Sequence, residues 1–150
     1  MGATHFSGPV VSGTLQQGET DGPNQGFSVL SQSTSITQNS TTAVSSTLYI
    51  PAGSRIVDFN IDVLTAYNSA TSATLTIGTA AAGTQYVGSI DAKTAGRAAI
   101  TYTAAQLAAM NGVSVLGVAA PTTAPVVITV TPVGATSAGY VVVTVLYVQQ

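Results

Sequence analysis

Hydrophobic and polar residues alternate along most of this chain. A period of two marks half-buried β-strands. FSVLSQSTSIT (27–37) alternates, with Phe27, Val29 and several serines on one side. SATLTIG (72–78) alternates with Leu75 and Ile77 inward. The same reading makes strands of VVSGTL (10–15), AVSSTLYI (43–50), residues 55–66, TQYVGSID (84–91) and AITYT (99–103). VSVLGVA (113–119), VVITVTPV (126–133) and YVVVTVLYV (140–148) complete the set. Turn-forming residues separate them, among them QQGETDGPNQG (16–26), PAGS (51–54) and the Gly-bounded GTAAAG (78–83).

One segment breaks the period. In TAAQLAAMNG, Thr103 and Gln106 are spaced as a capping box, in which each side chain bonds the other's backbone N–H. Ala, Leu and Met favour helix, and Asn111–Gly112 supplies a stop. The spacing predicts a short helix near residues 104–110, with Leu107 and Met110 toward the core. Many short strands at regular spacing with one helix predict an all-β protein. The expected architecture is an antiparallel jelly-roll-like β-sandwich in one domain, residues 1–150. Gly8–Pro9 keeps regular structure out of the start, so residues 1–9 read as an extended arm.

The last strand carries two apolar faces. Val141, Val143, Val145 and Tyr147 form one; Tyr140, Val142, Thr144, Leu146 and Val148 form the other. Both should be covered, either because the strand is central or because one face meets a second subunit.

Composition sharpens this picture. Only 5% of the 150 residues are charged, against about 25% in an average soluble protein. Hydroxyls and amides must keep the surface wet, which suits a chain packed against copies of itself or a larger assembly. The basic residues Arg55, Lys93 and Arg97 are scattered, so no patch collects phosphates and no nucleic-acid partner is expected. No cysteine is present, no apolar run has membrane-spanning length, and no signal-peptide pattern opens the chain. No membrane association is expected.

The candidate chemistry centres on RIVDFNIDV (55–63), where Asp58, Asn60 and Asp62 occupy alternate positions. That spacing begins a calcium loop, which then needs Gly at its sixth position and Glu at its twelfth. Val63 and Ser69 stand there instead. Val57, Phe59, Ile61 and Val63 form an apolar row with strand period, so the three polar residues are expected outward. Residues four apart on a strand lie about 13 Å apart, too far for the roughly 5–9.5 Å of a paired-carboxylate hydrolase. His5 is the only histidine and lies in the arm, so no nucleophilic triad forms. Tyr49, Phe59, Tyr86 and Tyr102 sit in strand patterns that fill cores, and Tyr67 is the better candidate for an exposed ring. No catalytic residue, metal ligand or cofactor is expected, and the chain does not read as an enzyme.

Two stretches resemble a known group. THFSGPVVSG (4–13) is similar to the openings of short structural proteins of tailed bacteriophages. Residues 49–97, from YIPAGSRIVDFNIDV through ATLTIG to DAKTAGR, resemble the same group, in which IPAGxxIxDxxxDVxTA(F/Y) and ATLTIGTxxxxxxYV strands recur. The resemblance implies a virion component, foremost a capsid decoration or cement protein. Such a protein binds the outer surface of the major capsid protein lattice, as a homodimer or homotrimer, after synthesis in the host cytoplasm. A head-fibre or tail-adhesin domain that binds a host receptor or glycan is the alternative. Candidate contact residues for capsid or subunit are His5 and Phe6 in the arm, Asp58, Asn60 and Asp62 on the polar row, and Tyr140, Val142 and Leu146 on the last strand.

Overall fold

The computed structural model describes residues 28–38, 40–51, 54–112 and 124–149. The predicted arm 1–9, the strand at 10–15 and the strand at 113–119 lie outside the described residues. Eight strands and one helix follow in order: β1 (Val29–Thr37), β2 (Val44–Ile50), β3 (Ser54–Thr65), β4 (Ser72–Gly78), β5 (Val87–Asp91), β6 (Gly96–Arg97), α1 (Ala104–Gly112), β7 (Ala124–Val133) and β8 (Tyr140–Gln149). They form two four-stranded sheets, β1-β8-β3-β6 and β2-β7-β4-β5.

All described pairings are antiparallel, and their order identifies the roll. The first strand pairs with the eighth, the second with the seventh, the third with the sixth and the fourth with the fifth. The chain is thus one long ribbon doubled back on itself. It is then rolled so that β8 also meets β3 and β7 also meets β4. This is the jelly-roll sandwich that the strand spacing predicted.

The core lies between the sheets. From the first sheet come Ile36, Ile56, Phe59, Ile61, Val63, Val141, Val143 and Val145; from the second come Ile50, Leu75, Ile77, Val126, Ile128 and Val130. All are buried. Each such side chain contributes about 1.5–3 kcal/mol by leaving water. The Phe59 and Tyr86 rings pack at a centroid distance of 6.1 Å. β8 is a central strand, flanked by β1 and β3. Its two apolar faces are explained by this: one fills the core, and the other is half-covered by the side chains of its neighbours.

Three local expectations are corrected. Val57 does not join the inward row; it is 42% exposed. A register shift against β8 falls between Ile56 and Asp58, so Val57 is the extra residue of a bulge. Ile56 points inward before the bulge, and Phe59, Ile61 and Val63 after it. Residues 99–103 form no strand. The backbone bond from Ala98 N to Ile61 O (2.9 Å) prolongs the β6 pairing. Beyond it the Phe59 N–H is taken by side chains, Asp58 Oδ1 at 2.8 Å and the Tyr102 hydroxyl at 3.2 Å, so no ladder continues. Leu107 is exposed while Met110 is buried. The helix seats on the face carrying Gln106, Ala109 and Met110, one residue round from Leu107.

The helix start is as the sequence predicts. Thr103 N donates to Gln106 Oε1 at 2.9 Å, and Gln106 N donates to Thr103 Oγ1 at 3.2 Å. Gln106 Nε2 also reaches Thr84 O in the β4–β5 loop. Thr103→Ala should cost about 1 kcal/mol of stability, read as a lower urea midpoint with an unchanged slope. An unchanged midpoint would mean that the box contributes nothing.

Candidate functional site

The outer face of the β1-β8-β3-β6 sheet gathers most of the residues singled out in the sequence. Register places them in rows across the strands. Ser31 stands opposite Leu146, and Leu146 opposite Asp58. Ser33, Thr144 and Asn60 form the next row; Ser35, Val142, Asp62 and Arg97 the one after. Tyr140 lies between Thr37 and Thr65. Asp58, Asn60, Asp62, Tyr140, Val142 and Leu146 therefore share one surface, all partly exposed. His5 and Phe6 lie outside the described residues.

This surface has three stripes. β1 presents hydroxyls, all exposed, and Ser33 Oγ bonds Thr144 Oγ1 at 2.7 Å. β8 presents Tyr140, Val142, Thr144 and Leu146. β3 presents the polar row, and here the ionic groups already have partners. Asp62 receives two bonds from Arg97, Nε to Oδ1 at 2.7 Å and a terminal nitrogen to Oδ2 at 2.9 Å. That fork holds the Asp62 carboxyl below the usual carboxylate range and raises Arg97. Its stabilising effect is present above the ordinary carboxylate value and is lost as pH falls through the lowered one. Both side chains are open to water, so the pair fixes β6 against β3 more than it stabilises the fold. Tyr102 donates to Asp58 Oδ1 at 2.6 Å. Burial, then this bond, raises the Tyr102 hydroxyl well above its ordinary value.

Arg97 and Tyr102 complete the polar row, and nothing in the sequence tied either of them to it. Arg97 meets Asp62 only because the ribbon folds back, and Tyr102 acts from a segment that reads as a strand.

The tyrosines change places relative to expectation. Tyr67 is not an exposed ring; it is 1% exposed, and its hydroxyl donates to Ile36 O at 3.1 Å. Tyr49 is not in the core; it is 62% exposed, because β2 is an edge strand and Tyr49 points off its outer face. Tyr86 and Phe59 are buried as expected.

Two shallow clefts flank the sandwich. One of about 390 Å³ lies between β5 and β6, lined by Ile90, Asp91, Thr94, Arg97 and Ala98 among others. Its carboxylate, Asp91, accepts from Lys93 N at 3.0 Å and Thr94 Oγ1 at 3.0 Å. The other, about 370 Å³, lies between the β4–β5 loop and α1. Among the described residues no three acidic, His or Cys side chains come together as a metal would require. Among them, too, no helix is long and apolar enough to cross a membrane. The outer face thus carries exposed hydroxyls, partly exposed apolar side chains, one ion pair and one carboxylate bonded by a tyrosine hydroxyl.

No protein-family model matches the chain, and no curated protein does. Among solved structures the chain is similar to one described as "Cyanophage Pam1 capsid asymmetric unit", with 21% identity and a TM-score of 0.57. The match covers 89% of this chain and 95% of that one. The likeness is one of fold and extends over nearly the whole of both chains.

Proposed function

We propose that this protein is a structural component of a bacteriophage virion, a cement or decoration protein that binds the outer surface of the major capsid protein lattice and stabilises the head. The observation that carries the reading is the fold, shared along 89% of the chain with a chain of a phage capsid asymmetric unit. The phage-like segments 4–13 and 49–97 point the same way. In this reading the protein is made in the host cytoplasm, resides on the outer capsid surface, acts as a homodimer or homotrimer, and has no catalytic role or cofactor.

The outer face of the first sheet is the surface we assign to the capsid. Its apolar groups gain by leaving water and its hydroxyls can exchange water for hydrogen bonds to the shell, whereas unpaired charge is what desolvation penalises most. A repeating lattice rewards many weak contacts, so no single copy needs high affinity. The glycan-binding alternative loses its best residue, because Tyr67 is buried.

Heads lacking the protein provide the test. Added protein should co-sediment with empty expanded heads and raise their melting temperature. Binding should change little with added salt, because screening acts on charges. Val142→Lys with Leu146→Lys, shown first to melt like the parent, should remove co-sedimentation. Heads that neither bind the protein nor gain heat resistance would overturn the proposal, and sugar binding without head binding would replace it with the adhesin reading.

A further inference from the structure

We infer that the protein self-associates through β1, with β1 of one copy adding antiparallel to β1 of a second so that two first sheets become one continuous sheet. The inference stands on the strand edges and does not require the capsid reading.

Among the described residues, the two edges of the sandwich are built in opposite ways. On one side lie β5 and β6, of five and two residues. β5 has a register shift against β4, and Asp91, Lys93 and Arg97 stand around it. Short strands, irregularity and charge are the devices that keep an edge from pairing. On the other side lie β1 and β2, of nine and seven residues. Their registers against β8 and β7 run unbroken, and neither strand contains a proline or a charged residue. Every second residue of β1 turns its N–H and C=O away from β8. At about 3.4 Å per residue this makes an outward row about 30 Å long that no other described strand pairs. Thr34 Oγ1 and Ser46 Oγ, 2.7 Å apart, pin β1 to β2 and hold the edge in place. At the start of β1, Val29 and Leu30 are 59% and 39% exposed.

A second copy is the occupant this edge fits. A strand without charge is complementary to itself, since two copies approach with no like charges opposed. Antiparallel pairing about a two-fold axis uses the same strand from both partners and closes at two, so no fibre grows from it. The ionic residues of the first sheet sit on β3 and β6, and β8 separates them from this edge.

The full-length chain tests this in solution without capsids. Light scattering on a sizing column should give the mass of two chains. Ser31→Lys with Ser35→Lys, both exposed beside the edge, should weaken the dimer at least tenfold. The chain has no cysteine, so single variants Ser31→Cys, Ser33→Cys and Ser35→Cys report cleanly on register. One of them, the one nearest the two-fold axis, should oxidise to a disulfide dimer, because bridging needs Cα atoms roughly 4.4–6.8 Å apart. A monomeric or trimeric parent overturns the inference, and so does a dimer that tolerates the lysines and cross-links at none of the three sites. A monomer whose outward β1 amides resist hydrogen exchange also overturns it, and places another part of the chain on the edge.

Discussion

Gly139→Ala should destabilise the protein by about 3 kcal/mol, which for a chain this long lowers the melting temperature by roughly 6–12 °C. A Cβ at this position would lie 2.5 Å from Cγ of Tyr67 and 2.7 Å from its Cε1. The ring cannot step aside. It is 1% exposed, and its hydroxyl is held by Ile36 O. Its own backbone N–H donates to Ala92 O at 3.0 Å, and the next N–H, that of Asn68, donates to Ala138 O at 3.2 Å. Gly139 is fixed as well, because its carbonyl accepts from Gln38 N at 2.9 Å. Four connections of the roll therefore meet around one tyrosine, and the absent Cβ is the space that its ring occupies. Urea unfolding should show the loss. In a Tyr67→Ala background the same substitution should cost far less, because the clash has been removed. Equal losses in both backgrounds would place the strain elsewhere.

This junction also shows what a sequence hides. Tyr67 follows a strand and precedes Asn68, so local pattern puts it on a loop and exposes it. Its burial depends on Ile36 and Gly139, far away in the chain, which only the doubled ribbon brings together. Val57 fails for a related reason. A bulge is a mismatch with a partner strand, and the partner here is β8, at the other end of the chain. What alternation could reveal it did: the sandwich, the inward Leu75 and Ile77, and a last strand that is central in its sheet, though its outer face stays partly exposed. The capping box at Thr103 and Gln106 was legible because both halves lie within one turn. The polar row of β3 was legible as a face, but its partners Arg97 and Tyr102 were not.

Alkaline pH should unfold the protein steeply, with stability nearly level up to about pH 10 and falling between pH 10 and 12. Burial pushes the Tyr67 hydroxyl up to about 12 from its ordinary value of about 10. Burial also raises Tyr86, and raises Tyr102 together with its bond to Asp58. The folded chain therefore holds protons that the unfolded chain releases. Stability is complete below the unfolded value and is lost as pH climbs through the folded one. Two pH units at Tyr67 amount to about 2.7 kcal/mol. Lys93 is the chain's single lysine, so side-chain amines add little to this window. Tyr67→Phe separates this effect from packing. At pH 7 it should lose about 1–3 kcal/mol, because the buried Ile36 carbonyl is left without its donor. Between pH 10 and 12 its stability should fall less than that of the parent, so the two curves converge near pH 12. Parallel curves across that window would mean that Tyr67 titrates in the folded state as freely as in the unfolded one, and that its burial is not what seals the end of the roll.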